Sequence, residues 1–247
     1  MLIKKHTKNA HLLQTILTWK TYDPTLQETV NLNSTININE GIFLHHLVRI
    51  CLQTIFINTV SSSFRCLEIG FAMGLSTMFI LDACNTISSR KIEYHIFDPN
   101  QDSQWHYIGL YNAKKMATSN THIQLTTETS DTSFSLLRKK KNSQKYHFIF
   151  IDGSHSYDDV LKDCINSHDF LHVKGLVVHD DVLHKGCRKA IQEYYGNNAS
   201  YQRVILQINS DKKNSYSLIQ DTNPLFKQTK DTYLHPSTMY AFQKLTD

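Results

Sequence analysis

Short apolar runs alternate with longer amphipathic segments through the middle of the chain, and this alternation constrains the fold more than any other feature. The apolar runs occupy residues 66–69, 94–97, 122–125, 146–151 and 175–178. Segments of helical length and spacing follow at 75–83, 103–117, 134–140, 157–171 and 186–195. Strands that alternate with helices form parallel β-α-β units. We therefore predict a doubly wound, Rossmann-like α/β sheet.

Two further apolar runs, 201–208 and 215–219, follow without a helix between them. The turn-forming residues 209–214 join the two runs. This pattern predicts an antiparallel hairpin at one edge of an otherwise parallel sheet.

The α/β pattern divides the chain into three parts. Residues 63–221 form the α/β domain, and residues 1–62 form an N-terminal helical extension whose helices are joined by the polar stretch 31–39. Residues 222–247 show no clear period. For that segment a tail, a lid and an oligomer contact remain open.

Composition excludes several classes of protein. With 26 Lys+Arg against 22 Asp+Glu, the net charge of +4 falls short of a nucleic-acid binder. No apolar run is long enough to span a membrane. The 5 cysteines are scattered without a Cys-x-x-Cys pair, which favours a reducing cytoplasm. We expect a cytoplasmic protein with a small-molecule partner, no nucleic-acid or membrane partner, and an oligomeric state that the sequence leaves open, a homo-oligomer included.

A glycine turn and an acid follow the first two predicted strands. Glu68 ends the first strand, and Gly70 and Gly74 flank a tight turn into the next helix. Asp98 directly follows the second strand, where a carboxylate can accept hydrogen bonds from ribose hydroxyls. Ligands of open α/β sheets bind beyond the carboxyl ends of the strands. Together these residues predict a site for a nucleoside-containing cofactor.

The spacing of the turn distinguishes between cofactors. A dinucleotide fingerprint requires glycines at 70, 72 and 75, but the chain has Ala72 and Leu75. The turn instead resembles motif I of the class I S-adenosyl-L-methionine-dependent methyltransferases, with Ala72 in place of the middle glycine. The resemblance implies that the turn packs against the amino-acid part of the cofactor and that Asp98 holds the ribose. It also places Thr129 and Ser130 near the adenine.

Acidic residues also follow the fourth and fifth predicted strands. Asp152 follows one, and Asp180 and Asp181 follow its neighbour, so the three carboxylates converge at one sheet edge. Unless protons or a cation neutralise them, they repel one another. Hard oxygen ligands favour Mg²⁺, with Mn²⁺ or Ca²⁺ as alternatives. We assign Asp152 to the cofactor site as well.

This arrangement resembles the metal-dependent O-methyltransferases of the catechol and caffeoyl-coenzyme A type, with Asp181 in place of their Asn. The sequence of residues 150–157 more closely resembles methyltransferase family 24, relatives of macrolide-sugar O-methyltransferases. The resemblance covers about residues 64–195 and implies the seven-stranded methyltransferase fold.

His155 lies three residues after Asp152, where the catechol-type enzymes carry a catalytic Lys. An imidazole there can take the proton of an acceptor hydroxyl as general base. A metal ligand and a packing role at the start of the next helix remain alternatives.

The sequence therefore predicts a metal-dependent methyltransferase that acts on the hydroxyl of a sugar, diol or catechol. A nicotinamide-dependent oxidoreductase and a non-catalytic S-adenosylmethionine-binding module are the alternatives. An iron site of Asp152, His155 and His179 is a more remote one, because strand alternation points His179 away from Asp180.

Overall fold

The computed structural model describes residues 7–56, 62–86, 90–140, 145–208, 216–221, 233–234, 236 and 238–247. The N-terminal part contains α1 (Ala10–Thr18), β1 (Lys20–Asp23), β2 (Glu28–Asn31), α2 (Ile38–Ile50) and a π-helical turn, Cys51–Ile55. The two helices agree with the prediction. The antiparallel hairpin of β1 and β2 was not predicted. Its strands are polar and lack the alternation of apolar residues that signals a strand in the sequence.

Strands and helices then alternate as predicted. They are β3 (Ser63–Ile69), α3 (Leu75–Asn85), β4 (Lys91–Phe97), α4 (Ile108–Met116), β5 (Thr121–Thr126), α5 (Ser130–Lys139), β6 (Tyr146–Ile151), α6 (Tyr157–Phe170), β7 (Leu171–His179) and α7 (Lys185–Tyr195). Each of the five predicted apolar runs lies within a strand. Four more strands follow: β8 (Tyr201–Ile208), β9 (Tyr216–Gln220), β10 (Tyr233–Leu234) and β11 (Tyr240–Lys244).

The large sheet has the order β10-β8-β11-β7-β6-β3-β4-β5, with β9 also paired to β8. Strands β3 to β7 are mutually parallel, whereas β8, β9, β10 and β11 pair antiparallel. The mostly parallel, doubly wound α/β prediction is confirmed. The strand order reverses between β4 and β6 on either side of β3, which is the switch point where such sheets bind ligands.

The predicted C-terminal hairpin is present as the antiparallel pair β8 and β9. Its turn lies outside the described residues. The segment 222–247 requires a correction, because β11 is not part of a tail or lid. It lies between β7 and β8, with Phe242 opposite both Val177 and Arg203. A five-residue strand far along the chain from its partners carries too little periodicity to be detected in the sequence.

The core has one layer on each face of the sheet. One cluster joins the N-terminal extension to α3 and α4, and Phe43 and Phe79 are both buried in it. The other packs α5, α6 and α7 against the opposite face, with Phe134 and Ile191 buried. Because Phe43 shares a core with the sheet, the extension is packed onto the α/β domain. All five cysteines are buried free thiols.

In the described part of the chain, no helix combines the length and the apolar character needed to cross a lipid bilayer.

Candidate functional site

A cavity of about 890 Å³ opens at the carboxyl ends of the parallel strands. The turn after β3, the ends of β4, β6 and β7, and the start of α5 contribute to its wall. Glu40, at the start of α2, brings the N-terminal extension to the same cavity. The size and position are typical of a site for a small-molecule ligand.

The turn between β3 and α3 needs its glycines. Gly70 has φ +81° and Gly74 has φ +77°, in the left-handed region. A Cβ on Gly70 would lie 1.9 Å from the carbonyl oxygen of Asp152. Gly70 therefore lets β3 and β6 approach each other at the cavity. Ala72 adopts a φ of +44°, so the one departure from the glycine motif keeps the conformation of the turn.

Glu68 lies beneath this turn and is not among the residues that line the cavity. Its buried carboxylate accepts hydrogen bonds from the hydroxyls of Ser76, Thr77 and Tyr94, the last at 2.6 Å. Burial raises the pKa of Glu68 to about 7. Glu68 therefore fixes the start of α3 to β3. Gly74 is likewise absent from the lining, whereas Gly70 and Ala72 are present.

Asp98 lines the cavity and organises the turn at the same time. Its Oδ2 accepts from the backbone N–H groups of Phe71 at 3.0 Å and Ala72 at 2.8 Å, and from the side chain of Gln101 at 3.0 Å. Its Oδ1 accepts from the Asn100 N–H at 2.8 Å. Since a carboxylate oxygen has two lone pairs, Oδ1 keeps one acceptor position for a ribose hydroxyl.

The start of α5 forms the next part of the wall. Thr129 caps α5 by accepting a hydrogen bond from the Thr132 N–H, and both Thr129 and Ser130 line the cavity. Trp105, from the segment before α4, also lines it. The structure thus brings the predicted residues Thr129 and Ser130 to the same cavity as Asp98.

The acids after β6 and β7 lie side by side. The Asp180 N–H donates to the carbonyl of Ile151 at 3.0 Å, which joins the ends of the two strands. Burial and the charges of Asp180 and Asp181 raise the pKa of Asp152 well above its usual value. Burial and the nearby Glu40 raise the pKa of Asp180 to about 8. The acids therefore lie close enough for their charges to raise one another's pKa.

A group of possible metal ligands forms at this edge, and its membership differs from the prediction. Asp152, His155 and Asp181 each offer one ligand atom, and these atoms lie within 4.8 Å of one another. Asp180 is not in this group; its Oδ1 instead accepts from the Asp181 N–H at 2.7 Å. His155 takes its place, because the loop after β6 turns the imidazole back toward Asp181.

His155 is paired with Asp181. Its Nε2 lies 2.7 Å from Asp181 Oδ2. A second imidazole, His184, lies with its ring centroid 4.5 Å from that of His155 and its Nε2 3.6 Å from Asp181 Oδ1. Two carboxylates and an imidazole nitrogen suit a divalent cation. The residues fit such an ion.

Glu40 and Thr238 lie at the acidic edge of the site but gave no functional signal in the sequence. Glu40 accepts a hydrogen bond from the Thr238 hydroxyl and one from the Asn37 N–H at 2.6 Å. The Thr238 carbonyl accepts from the Val182 N–H at 2.9 Å, next to Asp181. Asn37 and Glu40 form a capping box, which signals only the start of α2. Their convergence with Thr238 depends on tertiary packing.

His179 takes no part in the cluster. It is buried, and its Nε2 lies 3.0 Å from the Tyr195 hydroxyl. Burial lowers its pKa to about 3. The iron site is therefore not formed by the described side chains.

Comparison with known proteins assigns the domain. Residues 67–182 match the family model of a methyltransferase domain, methyltransferase family 24. Residues 67–182 therefore carry a methyltransferase domain of this type. The matched span begins in β3 and ends just beyond the acids after β7, so it contains the glycine turn and the acidic edge. The predicted family is confirmed.

Solved structures share the fold at low sequence identity. An O-methyltransferase from Bacillus cereus in complex with SAH has 14% identity and a TM-score of 0.58, covering 96% of this chain and 91% of that one. The O-methyltransferase TomG from Streptomyces achromogenes, in complex with SAM, has 10% identity and a TM-score of 0.57, covering 97% and 91%. An SAH-bound methyltransferase from Podospora anserina has 13% identity and a TM-score of 0.58, covering 98% and 90%. A search of curated protein sequences finds no match.

Proposed function

We propose that this protein transfers the methyl group of S-adenosylmethionine to a hydroxyl oxygen of a small molecule with the help of a divalent cation. The observation that carries the proposal is the cluster of Asp152, His155 and Asp181 in the wall of the cavity that the glycine turn and Asp98 also line. Cofactor site and acidic edge therefore face one space.

The cofactor would lie along the sheet edge from β3 toward β5. Gly70 and Ala72 line the cavity where its amino-acid part would lie, and the remaining acceptor position of Asp98 suits a ribose hydroxyl. Thr129 and Ser130 would lie beside the base. The sulfonium would then be close to Asp152, whose peptide is the one against which Gly70 packs.

Asp152 and Asp181 would hold the cation. A divalent cation held there would lower the pKa of an acceptor hydroxyl bound beside it. The oxygen donors suit Mg²⁺ and Mn²⁺, as proposed from the sequence. Asp180, with Glu40 beside it, would add negative charge at the acceptor side.

His155 would act as the general base. With Nε2–H donated to Asp181, its Nδ1 is left as the proton acceptor. Asp181 would stabilise the imidazolium formed when His155 takes the hydroxyl proton. Methyl transfer from sulfur to oxygen cancels the positive charge of the sulfonium, so the enclosed cavity favours the reaction.

The acceptor class follows from the cation site. Hydroxyls of a sugar, a vicinal diol or a catechol can chelate a cation held by two carboxylates. The B. cereus and S. achromogenes neighbours are O-methyltransferases, which supports oxygen as the accepting atom. The five buried thiols support the cytoplasm as the proposed location.

Calorimetry with S-adenosylhomocysteine in EDTA, in Mg²⁺ and in Mn²⁺ tests the proposal, together with mass spectrometry of a panel of sugars, diols and catechols incubated with S-adenosylmethionine. We expect cofactor binding, a heat of cation binding and one methylated product. Asp152→Asn should lose the cation response, whereas Asp158→Asn, an exposed acid outside the cavity, should keep it. Cofactor binding with no cation response and no product would favour a non-catalytic binding module.

A further inference from the structure

Two buried side-chain amides donate hydrogen bonds to successive carbonyl groups of the turn after β3. Gln101 Nε2 donates to the Ala72 carbonyl at 2.8 Å, and Asn112 Nδ2 donates to the Met73 carbonyl at 2.8 Å. Both Gln101 and Asn112 are 0% exposed. Neither is among the residues that line the cavity, whereas Ala72 is. Their effect on a bound ligand must therefore pass through the turn.

Ala72 is the residue of the turn that needs this support. Its φ of +44° lies in the left-handed region, which a residue with a Cβ adopts at a free-energy cost that glycine avoids. Glycines occupy the other two left-handed positions of the turn, 70 and 74. Hydrogen bonds hold both peptide groups that flank Ala72: its N–H donates to Asp98 Oδ2, and its carbonyl accepts from Gln101. The two bonds oppose rotation of Ala72 out of the left-handed region.

Gln101 also joins the turn to Asp98. The same Nε2 donates to Asp98 Oδ2 at 3.0 Å, the oxygen that accepts from the N–H groups of Phe71 and Ala72. Gln101 Oε1, in contrast, is buried without a hydrogen bond. Because an unpartnered buried acceptor costs free energy, the favourable polar contribution of this side chain comes from its donor nitrogen.

Asn112 connects the turn to the N-terminal extension. Its Oδ1 accepts a hydrogen bond from the Thr21 hydroxyl of β1 at 2.7 Å, and His11 Nε2 of α1 lies 3.1 Å from the same oxygen. The Asn112 side chain is therefore fixed by the extension on one side while it donates to Met73 on the other.

We infer that Gln101 and Asn112 are positioning residues for cofactor binding, which hold Ala72 in the conformation that a glycine of the motif adopts unaided. This inference rests on the proposed use of S-adenosylmethionine. A turn that spends part of its time in another conformation binds its ligand more weakly, in proportion to the fraction of the binding-competent form that is lost. The N-terminal extension thus contributes to the cofactor site through Asn112.

Calorimetry with S-adenosylhomocysteine tests the inference in two backgrounds, the wild-type protein and Ala72→Gly. Gln101→Met, which keeps the length of the side chain and removes the donor, should raise the Kd at least about tenfold in the wild-type background. In the Ala72→Gly background the same substitution should raise it by no more than about threefold, because glycine adopts a positive φ without support. The lost bond to Asp98 is common to both backgrounds, so the difference reports on Ala72.

Asn112→Leu is the second variant and should show the same rescue by Ala72→Gly. The matched control is Asn85→Leu: Asn85 Nδ2 donates to the Met116 carbonyl at 2.9 Å, a bond of the same kind at the other ends of α3 and α4. Asn85→Leu should lower stability but keep the Kd for S-adenosylhomocysteine within about threefold of the wild-type value.

An equal loss of affinity in the two backgrounds would overturn the inference for the residue substituted, and would leave the proposed function intact. A loss in Asn85→Leu as large as that in Gln101→Met would also overturn it, since general loosening of the helices would then explain both. If the wild-type protein does not bind S-adenosylhomocysteine, the inference and the proposed function are both overturned.

Discussion

At the scale of single residues, a close contact joins the turn after β3 to the end of β6 beside the cavity. Gly70 combines a φ of +81° with a Cβ position 1.9 Å from the Asp152 carbonyl oxygen. Gly153, on the other side of the contact, has a free Cβ position, its nearest neighbour being 3.4 Å away. The two glycines therefore form a matched pair for substitution.

Gly70→Ala should lower the free energy of unfolding by more than about 2 kcal/mol, because it adds backbone strain to a backbone clash. Gly153→Ala should change it by less than about 1 kcal/mol. Urea unfolding of the two variants measures the difference. Equal losses would show that the contact at Gly70 relaxes without cost.

His155 has two candidate roles that one substitution separates. If His155 is the general base, the substitution His155→Gln should reduce methyl transfer by about 10²- to 10⁴-fold and leave the Kd for Mn²⁺ within about threefold. If His155 is instead a third metal ligand, the same substitution should also weaken Mn²⁺ binding by about 10- to 100-fold. Turnover measured beside Mn²⁺ titration distinguishes the two.

His184→Gln is the control for this prediction, since it removes a neighbouring imidazole that lies farther from Asp181, at 3.6 Å. We expect it to keep turnover within about tenfold. Full activity in His155→Gln would contradict both roles.

At the scale of elements, β11 connects the parallel part of the sheet to β8. It supplies the partner for both β7 and β8, and Phe242 on it stacks on Tyr195 with ring centroids 4.1 Å apart and an interplanar angle of 8°. A segment with these contacts is part of the core. Its removal would leave two strand edges unpaired and an apolar face exposed.

Phe242→Ala should therefore lower the free energy of unfolding by about 3–5 kcal/mol, the usual cost of emptying a core aromatic position. Leu245→Ala, just beyond the strand and 40% exposed, should change it by less than about 1 kcal/mol. Thermal and urea unfolding measure both. A small loss in Phe242→Ala would mean that β11 can detach from the sheet.

At the scale of the whole molecule, buried titratable groups link stability to pH. Raised carboxyl pKa values, about 7 for Glu68 and Asp163 and about 8 for Asp180, mean that the folded protein holds more protons than the unfolded chain between about pH 4 and pH 8. Stability from these groups is fully present at lower pH and is lost as pH rises through the folded pKa. Buried histidines, with lowered pKa values, act oppositely, and their contribution fades above about pH 7.5, where the histidines of the unfolded chain are also neutral.

Between pH 7.5 and pH 8.5 the raised carboxyl pKa values dominate over the histidines, so the free energy of unfolding in EDTA should fall by about 1 kcal/mol or more. A divalent cation should reduce or reverse this fall, because it binds the deprotonated carboxylates of the folded state. Urea unfolding at the two pH values, with EDTA and with Mn²⁺, measures the effect. Asp180→Asn should flatten the slope in EDTA, and Asp158→Asn should not. A flat wild-type profile would contradict the assignment.

Much of this molecule could be predicted from local sequence. The alternation of apolar runs and helices specified the parallel strands and the class of sheet, since periodicity reports directly on burial. The residues just after each strand indicated Asp98, Asp152, Asp180 and Asp181, and all four line the cavity, because parallel strands deliver their carboxyl ends to a single edge. The glycine turn and the acidic residues within residues 67–182 indicated the family.

Tertiary structure decided the rest. The insertion of β11 between β7 and β8, the arrival of Glu40 and Thr238 at the acidic edge, and the hydrogen bonds of Gln101 and Asn112 to the turn after β3 depend on contacts between distant parts of the chain. It also brought His155 next to Asp181, so that an imidazole joins the candidate metal ligands. Local periodicity encodes which face of an element is buried, but the partner that buries it is chosen only when the whole chain packs.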